Sequence, residues 1–96
     1  MTTFNFGDAL SMMRAGARVT RQGWNGKGQY VALQPGYPDG VPANAHTAKV
    51  TGVAPGTKVV IRPYLVFKPV DDSLVPWVAS QTDLLADDWY AVSATG

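Results

Sequence analysis

Phe6, Ala9, Leu10 and Met13 fall at i, i+3, i+4 and i+7, which puts one apolar stripe on a helix. Asn5 is placed to cap its first turn, and Asp8, at the third helical position, suits the positive end of the helix dipole. Gly16 supplies the left-handed residue that ends such a helix. The spacing therefore predicts a short amphipathic helix over 6–15. The next segments, 17–21 and 29–33, are short enough for strands. Between them lies Gly23-Trp24-Asn25-Gly26-Lys27-Gly28, whose Asn-Gly pair is a tight-turn sequence. The expectation is a hairpin with a tryptophan at its tip.

Residues 34–57 lose this regularity. Pro35, Gly36, Pro38, Gly40, Pro42, Gly52, Pro55 and Gly56 crowd the segment, and it reads as one long loop of functional or mobile character. Bulky residues return at Val59, Ile61, Leu65 and Phe67, a strand pattern over 59–70 broken near Arg62-Pro63. Asp71-Asp72-Ser73 reads as a turn and 74–78 as a returning strand. Ser80-Gln81-Thr82-Asp83 opens a short helix running to about Ala86, and 89–92 closes as a last strand. The sum is an α+β fold: a small, mostly antiparallel sheet with two short helices, a single domain over 1–96, without repeat or linker.

Composition narrows the function. A chain of 96 residues builds a modest core, and the absence of cysteine removes disulfides and thiolate chemistry. Self-association is the expected reinforcement. A net charge of +1 argues against a DNA or RNA partner. The charge is unevenly placed, with seven Lys/Arg against two Asp in residues 1–62 and one Lys against five Asp in residues 63–96. Such a split suits a local anion site or head-to-tail contact between subunits, as well as an ordinary solvated surface. The N-terminus lacks the basic and apolar blocks of a secretory leader, and no apolar run approaches a membrane span. A cytoplasmic protein with no membrane partner is expected.

Catalytic groups are sparse. His46 is the one histidine, it lies in the Pro/Gly-rich segment, and no acidic partner is identifiable for it. Ser80 reads as a helix cap rather than a nucleophile. The pairs Asp71-Asp72 and Asp87-Asp88 read as solvated turns. No set of metal ligands converges, and the glycine-rich turn lacks the Gly-Lys-Ser/Thr ending of a phosphate loop. The chain reads as a non-enzyme without metal or cofactor. Binding is easier to build. Trp24 in a glycine-rich turn presents a ring, directed outward from the sheet, for stacking on a base or a sugar. Asn25 and the backbone at Gly26 and Gly28 suit hydroxyl or phosphate oxygens. Trp77 precedes a helix N-terminus at Ser80, Gln81 and Asp83 suit ribose hydroxyls, and Arg62 suits a phosphate. Trp77 and, more strongly, Trp89 also fit a plain core role.

The Gly23-Trp24-Asn25-Gly26-Lys27-Gly28 turn, Arg62-Pro63 and the run from Val75-Pro76-Trp77 through Ser80-Gln81-Thr82-Asp83 to Trp89 resemble the Thoeris anti-defense 2 family of small phage and prophage proteins. The opening Phe6-Gly7-Asp8-Ala9-Leu10 helix fits as well, so the resemblance spans nearly the whole chain. It implies a protein that binds and withholds, without cleaving, the cyclic ADP-ribose isomer (glycocyclic ADP-ribose) made by TIR-domain enzymes of Thoeris immunity in the infected bacterial cell. It implies a homo-oligomer, typically a tetramer, with the ligand between subunits, and in some relatives capture of the cyclic dinucleotides of CBASS at separate sites. Asn5 and Phe6 join the expected binding set of Trp24, Asn25, Gly26, Arg62, Trp77, Ser80, Gln81 and Asp83. Competing readings are a carbohydrate or other small-molecule module, a structural phage protein whose Trp24 hairpin makes only subunit contacts, and a nucleotide-degrading enzyme.

Overall fold

A computed structural model describes residues 2–25 and 27–93. Helix α1 (Phe6–Arg14) is followed by strands β1 (Val19–Arg21), β2 (Tyr30–Gln34) and β3 (Tyr37–Pro42). Helix α2 (Ala45–Thr51), β4 (Lys58–Ile61), β5 (Tyr64–Lys68), β6 (Val75–Pro76), α3 (Gln81–Leu84) and β7 (Trp89–Ala91) complete the chain. Five strands form an antiparallel sheet in the order β6-β5-β2-β1-β7, and β3 and β4 form a separate two-stranded sheet. The α+β class and mostly antiparallel pairing match the sequence reading, with three helices in place of two.

Helix α1 begins where the sequence places it, with the Asn5 side chain accepting from the Asp8 N–H at 2.9 Å. It ends in a double hydrogen bond: Gly16 N–H reaches the Met13 carbonyl and Ala17 N–H the Met12 carbonyl, with Gly16 at φ 99°. Its apolar face lies on one side of the main sheet. Ala9, Met13, Val19, Val31 and Trp89 are the buried centre, flanked by Leu10, Leu33, Leu65 and Phe67. Strand alternation sends Val19, Arg21, Val31 and Trp89 toward the helix side and Thr20, Tyr30 and Tyr90 to the opposite face.

Residues 34–57 are not one long loop. The proline and glycine residues sit at the ends and irregularities of ordered elements, where they satisfy special backbone geometry instead of dissolving it. Gly40, at φ 88°, falls in the register shift between Tyr37 and Val41, and Gly52, at φ 81°, closes α2. Asn44 caps that helix by accepting from the Thr47 N–H at 2.8 Å. The returning strand expected over 74–78 shortens to Val75–Pro76. The break at Arg62-Pro63 is real, but its two halves belong to different sheets, β4 to the arm and β5 to the main sheet.

The arm leaves the main sheet through one tight crossing. A Cβ on Gly36 would press into backbone atoms of the β4–β5 joint, including the Pro63 nitrogen at 2.8 Å. Backbone cannot swing aside as a side-chain tip can. Gly36→Ala is therefore expected to cost about 2–4 kcal/mol. Gly52→Ala has open space around it and only the left-handed φ to oppose it, about 1 kcal/mol. Urea unfolding of both variants checks this, and equal losses would remove the crossing as a constraint.

Candidate ligand-binding site

The turn between β1 and β2 does not hold its tryptophan out to solvent. Trp24 is half-buried, and its ring meets Trp89, Phe67 and Trp77 edge-to-face at centroid distances of 5.2, 5.5 and 6.2 Å. Phe6 adds contacts to Trp89 at 5.3 Å and to Trp77 at 6.2 Å. The expectation of an outward ring fails because an indole beside an open apolar edge lowers its free energy by packing there, worth about 2–3 kcal/mol for a large side chain. Trp89 is fully buried, as its strand position suggested.

Asp83 fixes the direction of this cluster. Its Oδ1 accepts from Arg21 Nη1 at 2.8 Å and from the Trp24 indole N–H at 3.1 Å. Its Oδ2 accepts from the Ser80 hydroxyl at 2.9 Å and the Ser80 N–H at 3.3 Å, while the Ser80 oxygen accepts from the Asp83 N–H. Those four acceptances use the full capacity of a carboxylate. The Asp83 carbonyl receives the Trp89 indole N–H at 2.9 Å. Arg21 completes a second pair with Asp88 at 2.7 Å, and the Gly23 N–H donates to the other Asp88 oxygen at 2.8 Å.

These contacts move the ionisation of the group. For Asp83, burial opposes the charge, but the bonds from Arg21, Ser80 and Trp24 outweigh it and hold the carboxyl below its usual range. The Arg21 bond is the main force lowering Asp88, against some desolvation. Arg21 is raised by its bond to Asp88, opposed by burial and helped by Asp83.

A wide cleft of about 1190 Å³ runs from the Trp24 turn along β1 and β2 toward the β7 edge, with Met12 of α1 also in its wall. Arg18, Arg21, Lys27 and Lys68 line it, and no Asp or Glu among the described residues does. Two of those cations are neutralised from outside: Arg21 by Asp83 and Asp88, and Lys68 by Asp72 at 2.6 Å. Arg18, whose guanidinium sits 5.0 Å from the centre of the Tyr30 ring and donates to the Ser93 carbonyl, has no carboxylate partner among the described residues, and neither does Lys27. Trp24, Tyr30 and Tyr90 give the wall aromatic surface, and Thr2, Thr20 and Ser93 give hydroxyls.

Of the residues singled out by sequence, Phe6, Trp24 and Trp77 meet around Trp89, beside Ser80, Gln81 and Asp83. Asn5 caps the helix that carries Phe6. Asn25 is exposed in the turn and its carbonyl accepts from the Gln29 amide; Gly26 lies outside the described residues. Only Trp24 of the set lines the large cleft. Arg62 stands apart, beside Tyr64, which pairs with Gln34 at the end of β2 away from the Trp24 turn. Four strand steps of about 3.4 Å separate those ends, roughly 14 Å. Sequence reasoning missed Arg18, Tyr30, Arg21 and Asp88. Of these, Arg21 and Asp88 had a trace, because strand alternation turns Arg21 toward the core side, where a cation needs acidic partners. Among the described residues, no group of three His, Cys, Asp or Glu side chains converges as a metal site would require. No helix among them is long and apolar enough to cross a membrane.

Fold and site together define a small α+β protein with an aromatic cluster, oriented by one carboxylate, next to a basic cleft. That surface chemistry suits an anionic molecule carrying flat rings. The Thoeris anti-defense 2-like domain matches residues 4–92. Thoeris anti-defense 2 of Bacillus phage SP01 is 34% identical over 95 residues, covering 96% of this chain and 98% of its own length. The chain belongs to the Thoeris anti-defense 2 family.

Two expectations follow. Both carboxylates bind protons less tightly folded than unfolded, so the network contributes stability above the ordinary carboxylate range and loses it as pH falls through the lower folded-state values. Arg21→Met should cost about 2–3 kcal/mol at pH 7, with the gap to wild type closing as pH falls through and below the ordinary carboxylate range. A gap independent of pH in denaturant titrations would refute this. Trp24→Ala should cost about 2–4 kcal/mol of stability, because the ring is packed, whereas Trp24→Phe should recover most of that in thermal melts. An alanine variant as stable as wild type would place the ring outside the core.

Proposed function

We propose that this protein is a phage anti-defense protein that captures and withholds a cyclic ADP-ribose isomer made by TIR-domain enzymes, leaving it chemically intact. Family membership sets the context, and the relative from Bacillus phage SP01 carries the family's name. The observation that carries the reading is the cleft: four cations together with Trp24, Tyr30 and Tyr90, and no carboxylate among the described residues of its wall. A pyrophosphate bridge has use for Arg18 and Lys27, and an adenine has use for Trp24, Tyr30 and Tyr90. A neutral sugar gains nothing from the cations, so this chemistry disfavours a carbohydrate module. The volume of about 1190 Å³ exceeds an ordinary small-molecule pocket and also suits the larger cyclic dinucleotides.

Withholding a messenger demands tight binding. Nanomolar dissociation corresponds to about −12 kcal/mol. A cleft this open encloses too little of a ligand to reach that alone, so the reading includes a homo-oligomer, a tetramer on the family pattern, in which a partner subunit closes the site. Phe6, Trp77, Ser80 and Gln81 then act around the ring of Trp24. Asp83 acts through Trp24, whose indole it orients, rather than by reaching a ribose itself.

Arg18→Glu is expected to weaken capture of the cyclic ADP-ribose isomer by roughly ten- to a hundredfold in calorimetric titration, with an unchanged melting temperature. That loss corresponds to about 1.5–3 kcal/mol for a charge-assisted contact. Ligand recovered after heat denaturation should co-elute with the input on chromatography. Conversion to ADP-ribose would replace a sponge with an enzyme, and undiminished affinity in the variant would empty the cleft of its role.

A further inference from the structure

A groove and a patch that do not meet within the chain have complementary chemistry. The groove, about 450 Å³, has a floor of Leu10, Leu33 and Leu65, and Arg14 and Arg62 at its rim. Neither arginine has an acidic partner among the described residues, and both are exposed. The patch is the end of α3 and the residues after it. Leu84 is 46% exposed and Leu85 79%, with Asp87 exposed alongside and likewise without a cationic partner among the described residues. Two adjacent leucines in water beside a free carboxylate, and an apolar trough between two free guanidinium groups, are each unfavourable alone and matched to one another.

One chain cannot satisfy itself. No residue of 81–87 lines the groove, and Leu84, Leu85 and Asp87 stay exposed, as do Arg14 and Arg62. We infer that the groove receives the Leu84–Leu85 patch of a second copy of this chain, with Asp87 set between Arg14 and Arg62. A two-fold axis lets each copy give its patch and receive the other's, which closes the contact and prevents an open filament. The inference rests on the assembly included in the reading above and names the surface that makes it. It also explains the isolation of Arg62: the contact carries that arginine to the α3 segment of the neighbour.

Native mass spectrometry and sedimentation of four samples test it: wild type, Leu85→Asp, Arg62→Asp and Asp87→Arg. Leu85, Arg62 and Asp87 are all exposed, so far-ultraviolet circular dichroism should stay as in wild type, and melting should fall only by the stability that assembly adds. Each variant alone should self-associate at least tenfold more weakly. Mixing Arg62→Asp with Asp87→Arg should restore assembly. In the mixed pair one contact sets the introduced carboxylate at position 62 against the introduced guanidinium at position 87, and the other keeps the original Arg62 against Asp87. A monomeric wild type, or Leu85→Asp assembling like wild type, would overturn the proposal, as would a mixture no tighter than its parts. Retained cyclic ADP-ribose isomer is read in the same spectra. An assembled protein that holds no nucleotide would therefore count against the sponge reading and leave this interface standing.

Discussion

Asp83 takes hydrogen bonds from Arg21, Trp24 and Ser80 on its side chain and from Trp89 on its carbonyl, so one residue ties the first hairpin, the last helix and the core tryptophan together. Each bond serves a different need. Ser80 starts α3, Arg21 gains a counter-charge on the core side of the sheet, and two indoles have their single donor satisfied. A partly buried charge network of this kind is stabilising only when complete, because a lone carboxylate or guanidinium left in the same place is costly. The main sheet can accept an arginine on its covered face because Asp83 and Asp88 meet it there.

The two faces of that sheet have different fates. Helix α1 and the aromatic cluster cover one. The other keeps Thr20, Tyr30 and Tyr90 beside Arg18, and the cleft opens over it. A short chain without disulfides has little material to cover both sides, and here the remaining residues go into an arm whose strands pair only with each other. That this face is covered only by its own side chains around Thr20, Tyr30 and Tyr90 follows from that allocation. It leaves charge and aromatic surface available for something other than the chain's own core.

Local chemistry was legible in the sequence where it acted locally. The Asn5 cap, the Gly16 stop, the Ser80 opening of α3 and the hairpin around Trp24 all depend on neighbours within a few residues, and the structure has each of them. The arm was illegible because proline and glycine count the same whether they dissolve structure or punctuate it; only Asn44 and Gly52, a cap and a stop on either side of α2, hinted at that helix. The site was half legible. Residue types drew Trp24, Trp77, Ser80 and Asp83 together, and the family resemblance added Phe6, but neither gave the internal duty of Asp83, nor Arg18 and Tyr30. Those depend on pairing between separate strands, such as Val19 with Val31, which no local pattern encodes.

The three tryptophans have a further consequence, optical rather than energetic. Trp24, Trp77 and Trp89 are all of the protein's tryptophans, and their ring centres lie within 5.2 to 6.2 Å of one another. At such spacing the indoles exchange excitation energy and absorb as a coupled set, so their circular dichroism and emission belong to the trio and not to separate rings. A molecule touching Trp24 alone therefore perturbs the spectrum of all three, and the fully buried Trp89 becomes an indirect witness to events at the cleft mouth.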